Sequence, residues 1–376
     1  MKELKVSPLK VGIVGAGEIA SSVHLPILTR RSDFFEVVAI ADLNIDAAHA
    51  VADRFGVKER YASTQEMLES ATLDMVAVLN SGSHASHVIL ALNAGLDVFC
   101  EKPLAYSQAE INAIELALQT SGKKLMVGYM KTFDPAVNQA QTKIQGKPRT
   151  VDVLVLHPSG ASQMATTEMS TDIPKPPADL IPLFTSMRQE INTTALGKIG
   201  SDAIGNVYSE IILGSVIHEF SVLRAFGVEI SEVDFVDRWP KTPQSDSIVI
   251  HGRTKDDVRV TVRWFYLENY PAYREEVRWV NENEGHHIIF ASPYIMRIPT
   301  QYIHTTRDGL DHHEDIFNSY QTGFERELVA FHSHVTAHGQ MADPISAGRS
   351  DLLLAQKIAK KILETENYEI GGELLS

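Results

Sequence analysis

From residue 9 to about 130, short apolar runs alternate with amphipathic stretches. Runs at 9–14, 35–41, 74–79, 97–100 and 124–129 read as strands separated by helices, which predicts a parallel sheet with crossover connections. One of those helices opens on Ser107-Gln-Ala-Glu110, a capping box whose hydroxyl and carboxylate satisfy exposed backbone donors. Beyond Pro135 the rhythm changes. Residues 150–156, 231–239, 245–251, 257–266, 273–280 and 286–291 form a succession of strands with short polar connections, which predicts a mostly antiparallel sheet. Two helices, at about 322–338 and 346–365, close the chain. The predicted class is α/β, a doubly wound parallel sheet over 1–130 followed by an α/β domain over 131–376 with a large, mostly antiparallel open sheet. Between them residues 157–206, with Pro158, Pro174, Pro176, Pro177 and Pro182, form a long connection that reads either as a lid over a site or as a surface excursion.

Composition narrows the partners. A chain of 376 residues with 44% hydrophobic content suffices for a core in each of two domains. No apolar run approaches the roughly 18 to 20 residues of a membrane span, and Met1-Lys-Glu-Leu-Lys5 lacks the apolar stretch of a signal peptide, so a cytoplasmic protein is expected. The formal charge of −14 disfavours nucleic acid and anionic membrane as partners. Cys100 is the single cysteine and, at the end of an apolar run, reads as a small buried hydrophobe.

The chemistry begins at the first strand. Leu9 to Val14 runs into Gly15-Ala16-Gly17-Glu18-Ile19-Ala20 and then a helical pattern, the context that gives a G-x-G-x-x-A motif its meaning. Gly15 permits the turn, Gly17 lets a pyrophosphate approach the backbone, and Ala20 lets helix and strand pack closely, as in a Rossmann nucleotide fold. Gly15, Gly17, Glu18 and Ile19 are therefore expected at the cofactor. The second strand delivers Asp42 about 20 residues on, where a carboxylate accepts from the adenosine ribose. Asp42 would repel a 2′-phosphate, and Leu43 and Asn44 supply no arginine, so NAD is expected rather than NADP.

The stretch from His84 to Glu101-Lys102-Pro103, with Ala94-Gly95 and Val98-Phe99-Cys100, resembles the Gfo/Idh/MocA oxidoreductases. The resemblance continues through Gly128-Tyr129-Met130-Lys131-Thr132-Phe133-Asp134-Pro135, the helix around His218 and the segment from Glu327 to His332. It implies that Lys102 contacts the nicotinamide ribose and the substrate and takes the hydroxyl proton, with Glu101 orienting the ribose or the lysine and Pro103 fixing the turn. A lysine beside a positively charged nicotinamide loses proton affinity, which suits it to that task. Asn80, Ser81 and His84 fall where the family holds cofactor, although many relatives read Thr-Pro-Asn where this chain has Leu79-Asn80-Ser81. The resemblance also makes His218 a catalytic and substrate-binding residue, and the open sheet a surface for homo-oligomerisation as dimer or tetramer. The chain departs from the family at Gly214, where relatives carry the aspartate of an Asp-x-x-x-His pair. Lys131 or Glu219 could supply the missing group, or the glycine could make room for a larger substrate.

Tyr129, Lys131, Tyr294 and the turn at Ser292 could hydrogen-bond a polyhydroxylated ligand, or simply pack at strand ends. His84 and His87 lack an evident third ligand, which argues against zinc there, and Asp311-His312-His313-Glu314 reads as a solvated loop, so no metal is expected. These features point to hydride transfer at a secondary alcohol of a sugar, cyclitol or glycoside. Two alternatives remain open: a glycoside hydrolase or lyase using NAD transiently through oxidation, elimination and reduction, and a non-catalytic dinucleotide sensor.

Overall fold

The structure is a computed structural model that describes residues 7–165, 173–241, 246–295, 298–337, 339 and 341–375. Expectations that fall on residues 1–6, 166–172, 245 and 338 lie outside the described residues. The chain divides into two compact units. The first comprises Met1–Gly128, Ser170–Thr194 and Glu327–Leu352; the second comprises Tyr129–Met169, Ala195–Arg326 and Leu353–Ser376.

The first unit is built on six parallel strands: β1 (Leu9–Val14), β2 (Phe35–Ala41), β3 (Glu59–Tyr61), β4 (Met75–Val78), β5 (Asp97–Glu101) and β6 (Leu125–Gly128). Their order is β3-β2-β1-β4-β5-β6, which places the reversal of winding between β1 and β4, where such sheets bind ligands at the carboxyl ends of their strands. Val11, Ile13, Ile40, Val76, Val78, Val98 and Phe99 are fully buried, as expected for strands covered on both faces. The helix Gln108–Ser121 starts as predicted, with Ser107 Oγ accepting from the Glu110 amide at 3.2 Å. Glu110 reaches back one residue further than a capping box requires, to the Tyr106 amide at 2.8 Å.

The second unit carries eight strands: β7 (Thr150–His157), β8 (Glu232–Trp239), β9 (Ser247–Arg253), β10 (Arg259–Tyr266), β11 (Arg274–Val280), β12 (Glu284–Phe290), β13 (Thr300–Asp308) and β14 (Asp311–Ser319). They are ordered β14-β13-β12-β11-β7-β10-β9-β8, and every neighbouring pair is antiparallel except β7 with β10. One face is buried through Val151, Val153 and Val155 of β7 and Val277 and Trp279 of β11. The other carries residues such as Leu154, Ile289 and Ile303, which keep partial exposure.

One sequence expectation is corrected, and the long connection takes on local structure. Asp311 to Glu314 is the start of β14, paired with Asp308 to Thr305, rather than a loop, although its side chains are exposed. The long connection is substantially helical, with Gly160–Ala165 and a helix Ile181–Asn206 interrupted at Gly197. Among the described residues no helix is long and apolar enough to cross a membrane.

Candidate functional site

In the first unit the predicted cofactor residues gather at the carboxyl end of the sheet. Gly15 has φ +95°, and a Cβ there would lie 2.5 Å from the Asn80 backbone. Only glycine lets the end of β1 meet the end of β4 so closely, and the Leu79 amide donates to the Val14 carbonyl at 2.7 Å. Above Gly17 the Cβ position opens into free space, as a loop that admits a phosphate requires. The Asp42 carboxylate at the tip of β2 is held by two backbone amides, Ala16 of the glycine loop at 2.7 Å and Asn44 at 2.7 Å. It is thereby fixed beside the loop with lone pairs to spare. The Asn44 side chain donates to the Pro174 carbonyl at 2.8 Å, so part of the long connection borders the same corner.

Asn80 donates its amide to the Ser81 and Ser83 carbonyls at 3.0 and 3.1 Å, which shapes the turn after β4. Its Oδ1 is buried with no hydrogen-bond partner among the described residues, an acceptor that a bound hydroxyl or amide would satisfy. Ser81 is exposed at the same turn. Buried His84 sets both ring nitrogens on backbone, Pro103 O at 2.6 Å and Asn80 O at 2.9 Å, and so ties the Glu-Lys-Pro turn to the β4 turn. Burial holds its pKa below the usual imidazole value.

Glu101 closes β5, and Lys102 follows with intermediate exposure, its amide donating to Glu101 Oε2 at 3.1 Å. Behind this turn lies a polar core that sequence reasoning missed. His24 Nε2 sits 2.7 Å from Glu101 Oε1, and His24 and Glu327 are both fully buried. Both Glu327 carboxylate oxygens lack a hydrogen-bond partner among the described residues. Burial, reinforced by the charge of Glu101, raises the Glu327 pKa well above its usual value. Burial alone would raise Glu101 too, but the hydrogen bond and charge of His24 outweigh it and hold that carboxyl ionised.

The arrangement predicts a pH signature. Because the folded pKa of Glu327 is raised, its protonated form favours the native state at low pH, and that stability is lost as pH rises from about 4.5 through the folded value. Glu327→Gln removes the ionisation while keeping the shape. Unfolding titrations should find the variant gaining on wild type as pH rises from about 5 to about 8; a constant difference would show that Glu327 is not the titrating group.

In the second unit the sequence candidates meet carboxylates that were not foreseen. Lys131, in the short 3₁₀ turn Met130–Phe133, is buried, with Nζ 3.2 Å from Glu219 Oε1 and in close contact with Glu275 Oε1. Tyr273 donates to Glu275 Oε2 at 2.5 Å. Burial raises the Glu219 pKa well above its usual value, and the Glu275 charge adds to this while Lys131 opposes it. Lys131 is itself held above the usual lysine value, because the two carboxylates outweigh its burial. Glu275 was legible in principle: it shares the inward face of β11 with Val277 and Trp279, an ionisable residue where the alternation calls for an apolar one.

His218, half-exposed, lies one residue before Glu219 on the helix Ile217–Ala225. The preceding turn, Val207–Val216, is π-helical. A Cβ on Gly214 would stand 3.2 Å from the Ser209 carbonyl oxygen, a tight contact that a shift of a few tenths of an ångström would relieve. Beside this turn Ser215 accepts from Trp264 Nε1 at 2.9 Å. His157 packs against Trp264 and Tyr273 at ring distances of 5.1 and 5.8 Å. This aromatic and hydroxyl-bearing wall, absent from the sequence reading, has the composition of a polyol subsite. Tyr129 is buried under Arg224, whose guanidinium lies 5.0 Å from its ring centre.

Residues 9–129 match the sequence model of the GFO_IDH_MocA family, described as an oxidoreductase family with an NAD-binding Rossmann fold. Inositol 2-dehydrogenase 3 of Saccharopolyspora erythraea is 38% identical over 34% of this chain and 37% of its own, so the match spans little more than a third of that relative. The fold resembles myo-inositol 2-dehydrogenase of Lactobacillus plantarum, with TM-score 0.68, 18% identity, and coverage of 97% of this chain and 100% of that one. It also resembles a 3-ketoreductase of Actinomadura kijaniata in complex with NADP, with TM-score 0.67, 16% identity, and coverage of 94% and 96%. At these identities the structural likeness is one of fold.

Proposed function

We propose, for a chain whose residues 9–129 match the Rossmann-fold model of the Gfo/Idh/MocA oxidoreductases, that it transfers hydride at a secondary alcohol of a sugar, cyclitol or glycoside. The observation that carries this reading is the convergence of Gly15, Asp42, Asn80 and Lys102 at the carboxyl ends of one parallel sheet, with an orphaned Asn80 acceptor among them. The open space above Gly17 and the fixed Asp42 carboxylate fit a dinucleotide, which when bound would accept or return the hydride. In this reading Gly15, Gly17, Glu18 and Ile19 face the phosphates, Asp42 accepts from the adenosine ribose, and Asn80 and Ser81 hold the far end. His84 acts through the turns that it ties together. Lys102 takes the hydroxyl proton and His218 orients or shares it.

The charged group around Lys131 fits the place of the aspartate missing at Gly214. Its ammonium, held by Glu219 and Glu275, fixes the segment that carries Tyr129 and, through Glu219, the helix that carries His218. The same reading includes a carbohydrate or cyclitol as ligand and self-association through the sheet face bearing Leu154, Ile289 and Ile303. The direct test is nicotinamide absorbance on incubation with NAD or NADP and a panel of inositols, hexoses and glycosides. Turnover with none of them in either direction would remove the dehydrogenase reading.

NAD selection rests on Asp42. Asp42→Ser with Leu43→Arg should move the relative affinity toward NADP by about 1.5 to 3 kcal/mol, the scale of a charge-assisted hydrogen bond gained or lost. Both affinities should also fall somewhat, because the Ala16 and Asn44 amides lose their acceptor. The preference ratio is unaffected by that shared loss, and a ratio equal to wild type would sink the assignment.

A further inference from the structure

On the face of the second unit's sheet that packs against the helix Pro135–Lys143 lies a cluster that none of the chemistry above uses. Glu284 and His286 stand at i and i+2 on β12 and so project from the same face. His304 on β13 lies directly opposite His286, and Asp315 on β14 lies directly opposite His304. The sheet thus lines up donor side chains from three adjacent strands without help from any loop.

The spacing is that of a metal's ligands. Glu284 Oε2 is 3.3 Å from His286 Nε2 and 3.1 Å from His304 Nε2, and one donor atom from each residue falls within 4.8 Å of the others. Donors set about 2.0–2.1 Å from a tetrahedral ion stand about 3.3 Å apart. His286 is only 2% exposed, and its Nε2 is held by no contact better than the 3.3 Å approach to Glu284 Oε2. A buried ring nitrogen left in that state carries a desolvation cost that a cation would remove.

The surroundings orient these donors. His286 Nδ1 meets the Tyr302 hydroxyl at 2.8 Å; in the tautomer whose Nδ1–H donates to that hydroxyl, Nε2 keeps its lone pair for a cation, and Glu284 Oε1 accepts from the Gln145 amide at 2.8 Å, which leaves Oε2 facing the histidines. Trp279 meets the His286 ring edge-on at 5.0 Å and closes the apolar side. The His286 and His304 rings stack at 4.6 Å and 14°, which keeps the two imidazoles side by side on adjacent strands.

We propose that Glu284, His286 and His304 form a structural site for a divalent transition metal of the zinc type, with Asp315 or water as the fourth ligand, clamping β12 to β13. Two imidazoles and one carboxylate suit zinc, cobalt or nickel, whereas calcium and magnesium need a fuller set of oxygens. The site is independent of the hydride chemistry, so it stands or falls apart from the dehydrogenase reading.

The test uses the full chain, stripped with a chelator and titrated with Zn²⁺ by calorimetry, and with Co²⁺ by absorption spectroscopy. Wild type should bind one equivalent, show a tetrahedral Co²⁺ spectrum and unfold several degrees higher with metal than without. His304→Ala and Glu284→Gln should each weaken binding at least about tenfold, while His312→Ala with His313→Ala, on the exposed start of β14, should leave it unchanged. Glu284→Gln keeps the side chain's shape and serves if the alanine variant fails to fold. Absence of stoichiometric binding in wild type, or binding that survives His286→Ala with His304→Ala, would overturn the site.

Discussion

Lys102→Ala should lower turnover by about two to four orders of magnitude while leaving the affinity for NAD within about tenfold. The separation follows from where the residue sits. Lys102 follows β5 with intermediate exposure, while the anchoring of the turn falls to its neighbours: Glu101 accepts from the Lys102 amide and meets His24, and the His84 ring donates to the Pro103 carbonyl. Truncating the lysine side chain leaves each of those backbone contacts in place, so the fold and the dinucleotide corner at Gly15 and Asp42 should persist. What is removed, under the proposed function, is the amine assigned to the substrate proton, and a positioned acid or base contributes about this much. Lys102→Arg should be nearly as damaging, since a guanidinium does not give up its proton near neutral pH. Steady-state kinetics with dinucleotide titrations on the same preparations separate the two effects. A Lys102→Ala enzyme with more than about a tenth of wild-type turnover would take the residue out of proton transfer.

What the sequence shows of this fold follows the distribution of burial. The parallel strands are buried on both faces, so their apolar runs stand out, and the short β3, with three half-buried residues, was the strand missed in the first unit. At the other end of the chain, β13 and β14 form an edge hairpin whose second strand reads Asp-His-His-Glu-Asp, with no apolar alternation to betray it. A strand with little to bury leaves no period-2 signal, and its polarity was read as a loop.

The candidate site divides along the same line. Glycines, Asp42 and Lys102 follow strand ends at set spacings, and a spacing can be read along one dimension. The groups His24–Glu101–Glu327 and Lys131–Glu219–Glu275 join residues far apart in the chain, so the pairing that makes each charge tolerable has no linear signature. Position 214 shows the limit of resemblance: the missing aspartate was legible, but the π-helical turn in which Gly214 sits was not.

Lys131→Met should be the most destabilising single change in the second unit. Lys131 is buried between Glu219 and Glu275, and Glu275 also receives the Tyr273 hydroxyl. Removing one partner of a buried ion pair costs about 3 to 5 kcal/mol, because the remaining charge is left without compensation. Here the loss must depend on pH. Burial and the neighbouring carboxylate already raise the Glu219 pKa, and removing the ammonium, which opposes that rise, lifts it further. A raised folded pKa means that stability is retained below the unfolded carboxyl value of about 4.3 and lost as pH climbs through the folded one. Lys131→Met should therefore lie close to wild type at about pH 4 and show its full deficit at about pH 8, as read from urea unfolding at both. Adding Glu275→Gln should recover much of the loss at the higher pH, since the second change removes the uncompensated charge that the first created. A deficit equal at both pH values, or one that Glu275→Gln deepens, would mean that Lys131 stabilises the unit through the packing of its stem rather than through its charge.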